Sequence, residues 1–221
     1  MKENVERCGG TAVMVTDDFG TPVDPKKLED ALKRHPDAMA VAFVHSETST
    51  GVRSDAEVLC TLAREYDCLA IVDAVTTLAG IPLEVDAWGI DAIYSGTQKC
   101  LSCIPGLSPV SFSPRAAAKI TNRKNRVQSW FLDTNLVMGY LGTDAKRSYH
   151  HTAPVNSLYA LHESLVILEE EGLEVSWKRH RLNHLALAAG LESLGLSFVV
   201  EEGSRLPQLN AVSFPQQIDD A

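Results

Sequence analysis

The chain has 221 residues, 45% hydrophobic and 22% charged, an ordinary soluble globular composition with length for a sizeable core in one large domain or one and a half. A formal net charge of −9 argues against a nucleic-acid partner, which needs clustered Lys and Arg, and no run of about 18 apolar residues exists to form a membrane span. Residues 1–7 lack the apolar stretch of a secretory signal and the five cysteines are an odd set without framework spacing, so a reducing, cytoplasmic location is expected.

Gly9-Gly10 reads as a loop entering a strand over residues 11–16. Asp24 followed by Pro25 is an N-cap with proline at the first helical position, and Leu28 and Leu32 keep helical spacing up to His35-Pro36. Residues 40–44 form an apolar run that reads as a buried strand, ending at the polar turn 45–51. Ser54-Asp-Ala-Glu57 has the spacing of a capping box, with Val58, Leu59, Leu62 and Ala63 as the apolar face of the helix behind it. Residues 69–72 are a strand again. Strands alternating with helices imply right-handed crossovers, an α/β class and a mainly parallel sheet. A connector over residues 80–91 leads to a strand at 92–94, a further strand at 109–113 and a short helix at 114–120. The stretch 121–147 is basic and then aromatic, with periodicity too weak to assign. Beyond Pro154 the pattern changes to long helices. Leu158, Leu161, Leu165 and Leu168 mark one, while Trp177, Leu182, Leu185, Ala189 and Leu194 mark the next, with Gly172 and Gly195 as punctuation. Residues 197–200 and 210–214 read as strands of a smaller unit, and the boundary is expected between 172 and 177.

Two strands end in opposite charges. Asp73 closes the run 69–72, and Lys99 follows the strand 92–94 and a turn of small residues. Ligands of open α/β sheets sit outside the carboxyl ends of the strands, so this pair can face one pocket. An amine able to form a Schiff base, with an acid to hold a pyridinium nitrogen, is the equipment of a pyridoxal phosphate site. Taken singly, each residue has a plainer reading: Lys99 as a solvated lysine, Asp73 as a helix cap, Val75 as core, Gln98 and Thr152 as turn residues. His45, His150, His151 and the pair Cys100/Cys103 make no four-ligand set, so no metal is expected. Nor does the cysteine pair stand in a thioredoxin-like setting.

His45-Ser-Glu-Thr-Ser-Thr-Gly51, Val72-Asp-Ala-Val75, Ser95-Gly-Thr-Gln-Lys99 and Tyr149-His-His-Thr152 together resemble the class V aminotransferases, most nearly the alanine–glyoxylate and serine–pyruvate group. The likeness runs from about Arg7 to the last residue, and four motifs in register are far more specific than one. The resemblance implies a type I aminotransferase fold, with residues 1–172 in the large cofactor-binding domain and 173–221 starting a smaller α+β domain. It implies pyridoxal 5'-phosphate bound covalently at Lys99, which also shuttles the proton during transamination of alanine or serine with a 2-oxo acid such as glyoxylate or pyruvate. Asp73 then pairs with the ring nitrogen, Val75 covers one ring face, and Thr48 offers a hydroxyl beside the ring where serine is more usual. Gln98 and Thr152 hold the phosphate, with Thr152 and Tyr149 reaching into the neighbouring subunit's site, which implies a homodimer. The alternatives are a cysteine desulfurase-like lyase, which needs a mobile catalytic cysteine, or an inactive piece keeping only dimerisation or binding.

Relatives carry a phosphate-binding turn and a ring-stacking aromatic well before the equivalent of Gly9, and a carboxylate-gripping arginine well beyond Pro215. Neither is found here. The sequence is therefore expected to be an internal piece of a longer polypeptide, without transaminase activity by itself.

Overall fold

The computed structural model describes residues 1–141 and 148–215. A short helix, α1 (Lys2–Arg7), leads into an extended segment. The strand expected over residues 11–16 is not formed. A strand needs a neighbour to pair with, and this segment has none among the described residues; Val13 and Met14 lie 52% and 58% exposed. Helix α2 (Pro25–Arg34) starts where expected, with the Asp24 carboxylate accepting from the Lys26 amide at 2.8 Å and Leu28, Ala31 and Leu32 buried beneath it.

Strand β1 (Ala40–Val44) runs into a small hairpin, β2 (Ser46–Glu47) and β3 (Val52–Arg53). Helix α3 (Ala56–Glu65) follows, capped one residue later than the capping-box reading. Asp55, not Ser54, accepts from the Val58 amide, at 3.1 Å, while the Ser54 hydroxyl accepts instead from the Val23 amide at 3.1 Å. Ala56, Leu59, Cys60 and Ala63 make the buried face of this helix, and Val58, expected on it, lies 40% exposed.

Strands β4 (Leu69–Asp73), β5 (Ala92–Tyr94) and β6 (Val110–Phe112) complete the sheet in the order β1-β4-β5-β6. The β1/β4 and β4/β5 pairs are parallel and β5/β6 is antiparallel. The core lies where α2 and α3 cover β1 and β4, around Leu32, Phe43, Leu59, Ala63 and Val72. Burial of each leucine, phenylalanine or valine side chain among these contributes roughly 1.5–3 kcal/mol. At the opposite end of the strands from the candidate site, buried Asp91 accepts from the Ala70 amide (3.0 Å), Ser113 Oγ (2.7 Å) and Arg115 Nη1 (3.1 Å). This carboxylate ties β4, β5 and α4 (Pro114–Thr121) together.

The unassigned stretch contains α5 (Thr134–Leu141), and its residues 142–147 fall outside the described residues. Two long helices follow, α6 (Val155–Glu171) and α7 (Leu173–Ser193), with the chain turning between them at Gly172. The two expected terminal strands are present but short, as the antiparallel pair β7 (Ser197–Phe198) and β8 (Val212–Ser213). Among the described residues no helix is long and apolar enough to cross a membrane.

Candidate active site

The carboxyl ends of the three parallel strands lie side by side. Val44 is in register with Asp73, and Asp73 with Tyr94. The ladder continues one residue past the strands, with the His45 amide donating to the Asp73 carbonyl and the Ala74 amide to the Tyr94 carbonyl, both at 2.9 Å. Asp73 is the last residue of β4, and its Oδ1 accepts from the Val75 amide at 2.9 Å, a turn that fixes where the carboxylate points. The Tyr94 phenol lies beside the Asp73 carboxylate. Burial, with this carboxylate beside it, pushes the Tyr94 phenol above its ordinary range.

Beyond β5 the chain makes a tightly fastened loop. Ser95 Oγ donates to the Ala74 carbonyl at 3.0 Å. Buried Thr97 donates from Oγ1 to the Ile104 carbonyl (2.7 Å), and its own carbonyl accepts from the Cys103 amide (3.0 Å). The Ser102 amide closes onto the Lys99 carbonyl at 2.9 Å, with Ser102 itself in the left-handed region at φ 54°. Gln98 and Lys99 stand exposed at the crest of this loop. Gly96 gives the Gln98 amide room to fold back, since a Cβ there would meet Gln98 Oε1 at 2.7 Å.

The sequence-derived residues thus fall into three groups. Asp73, Val75, Gln98 and Lys99 lie at the carboxyl ends of two adjacent parallel strands. Thr48 is exposed at the tip of the β2–β3 turn, a separate two-stranded hairpin that follows β1 in the chain. Tyr149 and Thr152 are exposed and bonded to each other at 2.6 Å between their hydroxyl oxygens, and among the described residues neither hydrogen-bonds Gln98 or Lys99. The segment carrying that pair is anchored by buried His150, whose Nε2 meets the Trp130 carbonyl at 3.1 Å and whose ring stacks on Trp130 at 4.1 Å.

Two neighbours of the site escaped the sequence reading. Tyr94 is the nearer; its signal was its place at the last position of a strand beside the one ending in Asp73. His45 was weighed only as a metal ligand, yet it is buried, with Nδ1 at 3.1 Å from Thr77 Oγ1 and its ring edge-on to Trp88 at 5.7 Å. Burial and the Arg53 charge hold its imidazolium form down to a pKa of about 4, so the ring is neutral near pH 7. Among the described residues no group of three or more His, Cys, Asp or Glu side chains is placed to hold a metal ion. Cys100 Sγ points at the Thr76 carbonyl, 3.5 Å away, and burial pushes its thiol up.

The profile of the aminotransferase class-V family matches residues 2–220. Alanine–glyoxylate aminotransferase of Oryctolagus cuniculus is 40% identical over 212 residues, 95% of this chain and 54% of the rabbit protein. The (S)-ureidoglycine–glyoxylate transaminase of Bacillus subtilis is 35% identical over 237 residues, 99% of this chain and 56% of its own length. The crystal structure of alanine–glyoxylate aminotransferase from a Nostoc species superposes with a TM-score of 0.93 at 42% identity, covering 99% of this chain and 57% of that one. The chain spans about half the length of the curated relatives it matches. With the mainly parallel sheet of the type I aminotransferase fold and a family profile that covers it almost end to end, this chain belongs to the class-V aminotransferases.

Proposed function

We propose that the chain carries the cofactor-holding part of a pyridoxal-phosphate-dependent transaminase, acting on a small amino acid, alanine or serine, and a 2-oxo acid such as glyoxylate or pyruvate. The observation that carries this reading is the placement of Asp73 and the Lys99 loop at the carboxyl ends of two paired parallel strands. The donor set fits the cofactor: an exposed amine for its aldehyde, a carboxylate pinned by the Val75 amide for its ring nitrogen, and an amide on the same loop for its phosphate.

When bound, the cofactor supplies an electron sink for the substrate carbon that loses its proton. Lys99 would hold the group through its aldehyde, and its Nζ, freed when a substrate amine takes that place, would be the base that moves the proton at the substrate carbon. Asp73 keeps a proton on the ring nitrogen, and Tyr94 and the Val75 amide keep Asp73 aimed. Val75 covers one ring face and excludes water there, with the Thr48 hydroxyl near the ring edge. Gln98 holds the phosphate from its own subunit, while Tyr149 and Thr152, outward-facing and paired, hold it from the neighbouring subunit of a homodimer. Residues 1–172 act as the large domain and residues from 173 onward belong to the small one. Five free cysteines suit a reducing compartment, which we take to be the cytoplasm. A desulfurase reading gains nothing from Cys100, whose thiol is part-buried and raised away from thiolate chemistry.

Borohydride reduction after loading with pyridoxal phosphate, followed by peptide mapping, tests the assignment. The adduct is expected on Lys99, and an adduct on another lysine overturns it.

A further inference from the structure

A cavity of about 500 Å³ opens beside β3, walled by Arg53, Ile81, Trp177, Arg181, Glu202 and Arg205. None of Asp73, Val75, Gln98 and Lys99 lines it. Three arginines and one glutamate line it, and with Arg205 paired to Glu192 the guanidinium groups of Arg53 and Arg181 remain against Glu202, in a chain whose acidic residues outnumber its basic ones by 29 to 20. A local excess of positive charge in an acidic protein is a focused field, and such a field draws anions into a cleft.

The three arginines are not equivalent. Arg205 is built into the wall: its Nε donates to the Val200 carbonyl at 2.8 Å, its guanidinium lies 4.2 Å over the Phe198 ring, and Nη1 reaches Glu192 at 3.4 Å. An antiparallel bridge between Val52 and Arg205 brings this residue alongside the strand that ends in Arg53. The side chains of Arg53 and Arg181 make no hydrogen bond or ion pair among the described residues. The field of Arg53 is nevertheless felt inside the protein, where it helps to keep His45 uncharged. Trp177 is fixed as a flat wall by its Nε1 donating to the Ala79 carbonyl at 3.0 Å.

We propose that this cavity binds a small organic molecule carrying two or more acidic groups, a di- or tricarboxylate or a phosphate ester. The volume lies within the range of small-molecule sites, roughly 300–1,000 Å³. Guanidinium forks match carboxylate and phosphate oxygens in pairs, and two unpartnered forks call for a ligand with more than one anionic group. A monocarboxylate neutralises only one of them.

Calorimetric titration of the full 221-residue chain with citrate, inorganic phosphate and acetate, at low and at high salt, tests the proposal. Saturable binding of citrate or of phosphate is expected, weakened by salt and stronger than that of acetate, and the two anions separate carboxylate from phosphate preference. Arg53→Gln and Arg181→Gln should each weaken it by roughly tenfold, with Arg181→Lys recovering only part of the loss. Both arginines are exposed, so the variants should keep the wild-type far-ultraviolet dichroism. Labelling of Lys99 by pyridoxal phosphate and borohydride should be unchanged in both variants, which keeps this proposal separable from the transaminase reading. No saturable binding of any of the three anions, affinity unchanged in the double glutamine variant, acetate binding as tightly as citrate, or loss of Lys99 labelling in the arginine variants would each overturn it.

Discussion

Asp73 and Tyr94 occupy paired final positions of neighbouring parallel strands, so that a phenol stands beside the carboxylate assigned to the cofactor ring. In parallel strands residues in register share a face, so both side chains leave the sheet on the same side. The carboxylate also accepts from the Val75 amide. That backbone bond fixes where the carboxylate points.

Asp73→Asn in the complete, cofactor-loaded enzyme should leave Lys99 labelling by borohydride intact and slow proton abstraction on the order of 10²-fold or more, because a neutral amide does not keep the ring nitrogen protonated. Single-turnover absorbance with alanine checks this. Near-normal turnover would reduce Asp73 to a turn-former.

The Tyr94 phenol should report the same pair without any cofactor. Its raised ionisation comes from burial and from Asp73, so Asp73→Asn is expected to bring it down toward the ordinary tyrosine range, and ultraviolet titration against a Tyr94→Phe control reads the change. A raised acid contributes stability that is full below the unfolded pKa near 10 and lost as the pH climbs above it.

His45 predicts a loss of stability on the acid side. Its folded pKa of about 4 lies below the reference value of 6.5, so the unfolded chain binds the extra proton and stability falls as the pH drops through that window. The largest effect is about 3 kcal/mol. Urea midpoints between pH 7 and pH 4 should fall less steeply in His45→Asn than in the wild type.

Asp91→Ala should destabilise the chain by roughly 3 kcal/mol, since it strands the buried Ala70 amide and releases Ser113 and Arg115 together. Denaturant unfolding measures it. Arg115 is 36% exposed at its side chain, so Arg115→Ala should cost distinctly less.

The homodimer assignment is open to complementation. A Lys99→Ala chain and a Thr152→Val chain, each impaired alone, should regain activity when co-expressed in the complete enzyme, because one site of each mixed dimer then has both groups intact, about a quarter of all sites. Absence of recovery in verified mixed dimers would place Thr152 in its own subunit's site or in none.

Much of this arrangement could be read from the chain. The apolar runs at 40–44, 69–73 and 92–94 are short, bounded by turn residues and interleaved with capped helices, and these local signals suffice for parallel strands with chemistry at their ends. Local signals fail where tertiary pairing decides. Residues 11–16 have strand character but no partner, and Ser54 lost its cap role because the Val23 amide, 31 positions away, claims its hydroxyl. Tyr94 is an ordinary strand tyrosine until register sets it beside Asp73. For α5 the periodicity is simply too weak, with none of its residues buried.

The fastening of Thr97 on both sides of Lys99 has a kinetic meaning. A lysine that must reach a cofactor, let go, and then ferry a proton needs a long side chain that moves and a backbone that does not. Buried Thr97, tied to Ile104 and Cys103, and the closure of Ser102 onto Lys99 supply that stationary base. In the proposed role of Lys99 only side-chain torsions would need to change between attachment and proton transfer, which are events of picoseconds to nanoseconds in exposed residues. On that reading the loop backbone adds no slow step of its own.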